Sequence, residues 1–350
     1  MKKWKLYLLC FLISSVYGCV PVCDCDDLVE IKPGNFCKKG SSIPYTGECE
    51  SCFDTIIRSM NFKNGLLHGK IKVYTTSGHT LAEISYSDGK RDGETVFYNN
   101  QGDTSSIMPY RLNQLDGTKI EKYDNGSLKE KESYRLGLLH GESYSYYPTG
   151  RPKEAKEFRD GLAHGNWIVW YESGNKKEEG KYEMGLEHGE WITWYEAGNL
   201  QSEKKYDKGL PDGKWQVWHN NGKQQEEVTY IRGEEDGLWV VWHENGQKKR
   251  QGIIKNGKEQ GLWLTWYPNG QKQNEEYYKD GREDGVAKTW FENGKQQSQI
   301  SYMNGELHGR VQKWDKTGKL ILSASYAKGI LTSKPELDST STAKYPEPVF

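Results

Sequence analysis

The chain has 350 residues, in which 48 Lys and Arg offset 49 Asp and Glu to leave a formal net charge of −1. With no basic excess and no long basic run, nothing supports nucleic-acid binding or polycation-driven membrane attachment. Hydrophobic residues reach only 35% while aromatics reach 13%, which argues for a thin structure whose units bury a few rings against their neighbours.

Residues 1–18 read as an export signal. Lys2, Lys3 and Lys5 precede an apolar stretch over 6–16 that is too short to span a bilayer, and Gly18 offers a small residue at a cleavage point. The run Val16-Tyr17-Gly18-Cys19 resembles a bacterial lipobox. That resemblance implies that Cys19 is lipidated and becomes the mature N-terminus. Ordinary secretory cleavage at the same bond is the alternative. Either way the expected location is the cell envelope, as an outer-membrane or cell-surface lipoprotein, or otherwise the periplasm or exterior.

Residues 19–60 form a cysteine-rich segment. All seven cysteines precede Phe53, and Cys10 leaves with the signal. In an exported chain, Cys23, Cys25, Cys37, Cys49 and Cys52 are disulfide candidates, because so short a stretch cannot build a sufficient core. Lipidation of Cys19 would leave one of these five unpaired, whereas a free Cys19 allows three bridges. The pairs Cys23-x-Cys25 and Cys49-x-x-Cys52 lack the four well-spaced ligands of a zinc site.

Residues 61–328 carry a 24-residue beat. Gly-x-x-x-Gly pairs open at Gly65, Gly89, Gly137, Gly161, Gly185, Gly209, Gly233, Gly257, Gly281 and Gly305, with Asn113 standing in the one defective register. Such a period marks a repeat architecture. In one copy, residues 191–195 are aromatic and β-branched, residues 196–199 suit a turn, and residues 200–206 suit a returning strand. Neighbouring copies place Asn-Gly in that turn, a strong hairpin signal. Each repeat therefore reads as one β-hairpin, and the fold class as all-β: an elongated, twisted antiparallel sheet of tandem hairpins.

Rings keep the same time. An aromatic closes nearly every repeat, from Phe62 through Tyr182, Tyr206 and Tyr230 to Tyr326, with Ile254 the exception. Trp-x-x-Trp pairs fall at 167/170, 191/194, 215/218, 239/242 and 263/266. A spacing of three puts the two indoles on opposite faces unless a bulge intervenes. With the unit Gly-x-x-[His/Asp]-Gly-x-Trp-x-x-Trp-Tyr-x-x-Gly assembled, the chain resembles MORN-repeat proteins over about residues 62–326. More narrowly it is similar to the bacterial variant repeats of YwqK-type antitoxins. The resemblance implies a hairpin sheet that binds proteins or lipids or assembles, with no catalysis by the repeats. An export signal fits poorly with an antitoxin that meets its toxin inside the cell.

His68, His140, His164, His188 and His308 exchange with Asp at one turn position, and successive copies would lie about 10 Å apart, too far to share a metal ion. A backbone-bonding turn role fits the exchange better. No nucleophile–base pair, phosphate-cradling loop or metal set stands out, so no catalytic residue, metal or cofactor is expected. Most rings follow the structural period and read as core. Trp191, Trp194, Trp215, Trp218, Trp239 and Trp242, in the most regular copies, are the binding-surface candidates. The expected function is a lipid-anchored scaffold binding a protein partner. A glycan-binding envelope module and an antitoxin-like binder are the alternatives. Residues 329–350, rich in Ser, Thr, Pro and charge, read as a disordered tail.

Overall fold

The computed structural model describes residues 23–333 and 336–337. The expected signal peptide, Cys19 and the last thirteen residues of the tail lie outside the described residues. Apart from a 3₁₀ turn at Cys25–Asp27, the regular elements described are all β-strands. The chain forms two compact units, residues 1–162 and 163–350.

The first unit starts with a separate small hairpin, Leu28–Lys32 with Asn35–Lys38. Backbone bonds tie it to the first glycine turn: Phe36 N–H donates to the Gly65 carbonyl and Gly65 N–H to that of Tyr45. The Phe36 and Tyr45 rings close on Phe62. One disulfide, Cys25–Cys49, joins the 3₁₀ turn to the strand Gly47–Phe53. Two of the five cysteines expected to bridge are instead thiols. Cys37 is fully buried and its Sγ donates to the Ser41 carbonyl at 2.9 Å, while Cys52 is exposed at the far end of its strand. The Cys23 side chain lies outside the described residues.

From Ile56–Lys63 onward, each strand of the first unit pairs antiparallel with the next, ending in Leu138–Tyr146 against Pro152–Arg159. The second unit repeats the arrangement up to Glu306–Trp314 against Leu320–Ala327. Two different turns alternate. Asn64-Gly65 is a two-residue loop bracketed by the pair Lys63↔Leu66, with φ of 52° and 81°; positive φ at both positions defines the type I′ turn that matches strand twist. The pairs Asn245-Gly246, Asn269-Gly270 and Asn293-Gly294 lie at the other end of the hairpin in a longer loop. There Gly246 N–H donates to the His243 carbonyl and His243 N–H to that of Gln247, both at 2.8 Å.

A bulge also sits in every hairpin of the second unit, on the returning strand. Thr193 faces Ser202 but Trp194 faces Leu200, which leaves Gln201 as the extra residue. The tryptophan strand has its own irregularity earlier, where Gly189, Glu190 and Trp191 oppose the single Gly180, but it stays regular from Trp191 to Trp194, so those two project to opposite faces.

Residues 329–333 and 336–337, which composition assigned to the tail, continue the sheet. Ile330–Leu331 folds back on Tyr326 and Ala327, and Glu336–Leu337 pairs with Ser323 and Leu322. The reason is local: Val311, Leu322, Ala324 and Tyr326 make the most deeply buried cluster, and the returning segment covers the edge of the last long strand.

Candidate functional site: the ring ladder and the surfaces it leaves

On one face of the second unit, first tryptophans and closing tyrosines alternate as a zigzag. Ring centroids run Trp167–Tyr182 at 5.0 Å, Tyr182–Trp191 at 5.0 Å, Trp191–Tyr206 at 6.4 Å, Tyr206–Trp215 at 5.1 Å and Trp215–Tyr230 at 4.6 Å. The register explains the contact. Trp191 sits opposite Lys204, and Tyr206 lies two residues further along on the same face, within diagonal reach. Where Ile254 replaces the tyrosine, Trp239 and Trp263 close the gap themselves at 5.5 Å, and the Arg250 guanidinium covers both rings. Burial, with nearby glutamate charges, pushes Tyr230, Tyr278 and Tyr302 up to about 12. Tyr230 and Tyr278, which carry ring contacts of the ladder, therefore stay neutral.

Two glycines off the 24-residue beat are part of this ladder, and composition gave no hint of it. Gly180 and Gly252 occupy extended strand, and a Cβ on either would run into the ring of Trp191 or Trp263. Both indoles are buried, Trp263 to 1% exposure. The readable signal was that these two glycines occupy one repeat position three periods apart, with no turn to make. The indole N–H groups of Trp191 and Trp215 donate to the Lys181 and Lys205 carbonyls, and that of Trp239 donates to Glu226. The buried Trp263 N–H finds no acceptor, because Arg250 stands where the preceding repeat has Glu226.

A second set of rungs joins neighbouring repeats near the Asn-Gly loops. Tyr171, Tyr195 and Tyr267 donate their hydroxyls to the carbonyls of Trp194, Trp218 and Trp290, at 2.8–2.9 Å. His219 and His243 place Nε2 by the Trp242 and Trp266 carbonyls. The asparagines of the loops do the same: Asn199, Asn221 and Asn245 donate to the carbonyls of Asn220, Glu244 and Pro268. The six candidate tryptophans thus separate into two rows. Trp191, Trp215 and Trp239 are members of the ladder, while Trp194, Trp218 and Trp242 lie half-buried on the opposite face.

A model of the MORN repeat variant family matches residues 115–135, 139–160, 163–184, 187–208, 211–232, 235–256, 259–280 and 283–304. The chain belongs to this family. None of the curated proteins matches it. Two crystal structures, of TcdB2-TccC3 and of TcdB2-TccC3-Cdc42, are each 11% identical, covering 79% of this chain and 18% of theirs with a TM-score of 0.17. MORN repeats suggest a repeat scaffold or binding role.

Several members of the Asp/His row close one MORN turn onto the next. Asp212, Asp236 and Asp284 accept the backbone N–H of Arg232, Asn256 and Asn304 at 3.1–3.3 Å, and His140 Nδ1 accepts that of Asp160 at 3.3 Å. The Nδ1 atoms of His68, His164, His188 and His308 make no such bond, so among the histidines the closure is seen at His140. The bond reaches the following repeat rather than the residue's own turn. Among the described residues, no group of three or more His, Cys, Asp or Glu is placed to hold a metal ion.

The defective register keeps the MORN geometry with a different interior. Asn113 adopts φ 72° in place of glycine; its N–H donates to the Arg91 carbonyl and its Oδ1 accepts the Arg91 N–H at 2.7 Å. Lys119 occupies the first-tryptophan position and reaches Glu132 at 2.8 Å, Glu130 at 3.2 Å and Glu121 at 3.7 Å. Burial opposes the Lys119 ammonium, but the hydrogen bonds and charges of Glu132 and Glu130 outweigh it and hold its pKa above the usual lysine value. Tyr134 donates to Glu132 at 3.0 Å.

Proposed function

We propose that this MORN protein is an exported, lipid-anchored scaffold that binds a protein partner along its extended sheet. The supporting observation is how the rings and polar groups are used. The ladder, the carbonyl rungs and the Asp/His closures all join one repeat to the next, which leaves a long regular surface rather than an enclosed pocket as the means of recognition. The Cys25–Cys49 disulfide is compatible with an oxidising compartment. The anchor is tested by mass spectrometry of the mature N-terminus with thiol counting. The expected result is a diacylglyceryl mass on Cys19 with Cys25 and Cys49 bridged, and an unmodified Cys19 would end the anchor reading.

Glycan binding is a second reading, favoured by the half-buried Trp194, Trp218 and Trp242 row, whose edge is dressed by Lys176 over Trp194 at 5.8 Å. Under it, the variant W194A/W218A loses retention on envelope polysaccharide while its circular dichroism is unchanged. Loss of fold would instead make the row structural.

A further inference from the structure

The two tryptophan rows of the second unit differ in what their N–H groups do. In the ladder those groups are used inside the fold: Trp191 and Trp215 donate to the Lys181 and Lys205 carbonyls, and Trp239 to Glu226. On the opposite face Trp194, Trp218, Trp242, Trp266, Trp290 and Trp314 occur once per repeat, all half-buried. None of their indole N–H groups has an acceptor among the described residues, and none is sealed from solvent. An indole donates and does not accept. This face therefore keeps a row of unused donors, each attached to a flat apolar ring, with successive members about 10 Å apart, two strand spacings. Polar groups run beside them. Gln224, Lys248 and Lys272, opposite Trp218, Trp242 and Trp266, donate to Glu227, Gln251 and Glu275 at 3.0, 2.6 and 2.7 Å.

Spacing and donors together decide between occupants. A β-strand laid along the row would present one face about every 7 Å, out of step with the rings. An α-helix would present a face every seventh residue at about 10.5 Å, in step, but its carbonyls are already used along its own axis. Docking a helix would bury the indole donors without acceptors, at the full cost of their desolvation. A β-1,4-linked polysaccharide meets both conditions. In its extended form each sugar is turned over relative to the last, so the same apolar pyranose face returns with every second sugar. Two sugars span the same length as two strands, and hydroxyl and ring oxygens along the chain accept from each indole. Charge narrows the class further. Lys272 is paired with Glu275 and Lys214 with Glu227, so the strip has no single sign with which to draw in a polyanion or a polycation.

We propose that the row from Trp194 to Trp314 binds an uncharged β-1,4-linked polysaccharide lying across the strands, one disaccharide to each repeat. This rests on the glycan reading above and adds the class of chain, its direction and the donors that hold it. The test titrates the whole chain with cello-oligosaccharides and N-acetylchito-oligosaccharides, from disaccharide to octasaccharide. Indole N–H resonances are followed by NMR and affinity by calorimetry. The resonances of Trp218, Trp242 and Trp266 are expected to move while those of Trp191 and Trp215 stay, and affinity should rise in steps with each added disaccharide. W218F/W242F, which keeps a ring and removes the donor at both positions, should lower octasaccharide affinity about tenfold or more with circular dichroism unchanged. If that variant fails to fold, the resonances of the unaltered chain decide alone. Shifts confined to the ladder indoles, or affinity that survives W218F/W242F, overturn the row assignment and leave glycan binding in place. Tighter binding of polygalacturonate, or binding of amylose fragments alone, overturns the class of chain. If no saccharide of either linkage binds, both readings fail. Movement of the same resonances by an amphipathic helical peptide, and not by saccharides, would give the row to a protein.

Discussion

Two registers of the same repeat solve one position in opposite ways. At Trp263 the second unit buries an indole to 1% exposure, fits it over Gly252 and covers it with Arg250. Two repeat-positions that do this with rings hold charges in the first unit, where Lys119 replaces the tryptophan and Glu132 the glycine. Yet the backbone connections are the same in both. Gly137 N–H donates to the Leu115 carbonyl and Gly281 N–H to that of Glu259. Tyr123 and Asn125 make their rungs to Tyr146 and Pro148, just as Tyr195 does to Trp218 and Asn221 to Glu244. The turns and rungs therefore define the MORN repeat, and the interior row is free to be aromatic or ionic.

The comparison breaks first if the two interiors prove energetically equal. Trp263→Ala should be the most damaging single change, at about 3–5 kcal/mol, since it empties a fully buried ring site. Guanidinium unfolding followed by circular dichroism measures it. Gly252→Ala should follow at roughly 1–3 kcal/mol, because the added methyl displaces the same ring from a packed position. Substituting Gly222, where a Cβ would meet nothing within 4 Å, tests backbone strain alone and should cost less.

On the ionic side, Lys119→Met should cost about 1–2 kcal/mol, below the value for a fully buried pair because the partner carboxylates are partly solvated. The triple variant K119M/E130Q/E132Q should recover most of that loss, since the unpaired carboxylates are then gone. If the triple variant is as unstable as the single, the register is held by something other than its charges.

These contrasts also show where sequence reading worked. Period, hairpin unit and ring series were legible because each is repeated many times, and repetition averages out local accidents. The face of each tryptophan was not, since it turns on a bulge at residues such as Gln201 that have no special composition. Gly180 and Gly252 were hidden by the abundance of turn glycines. The Asp/His row was read as a turn residue on sound acceptor chemistry, but its partner is twenty residues away, and only the sheet brings that turn close. In the cysteine segment, export chemistry made all five cysteines candidates with one left over if Cys19 is lipidated, and nothing in the sequence marked Cys37 and Cys52 as the free ones.

The smallest expected effect is one of sign, and acid supplies it. In the first unit a hydrogen bond from Lys129, opposed by burial and aided by the lysine charges, holds the Glu121 carboxyl below its ordinary value. A depressed carboxylate contributes stability above its unfolded pKa and loses it as pH falls through the folded one. In the second unit burial, with the charges of Glu276 and Glu259, raises Glu283. A raised carboxylate does the reverse: its contribution is present below the unfolded pKa and is lost as pH rises through the folded one. Acidification from neutrality toward the ordinary glutamate range should therefore stabilise the Glu283 neighbourhood first, and further acidification should weaken the Glu121 register. Hydrogen exchange resolved to residues 117–135 and 276–303, corrected for intrinsic rates, would read both. Protection in the second segment should rise or hold while the first falls. Parallel loss in both would mean that the ionic interior titrates no differently from the aromatic one, and the distinction between the two registers would be one of shape alone.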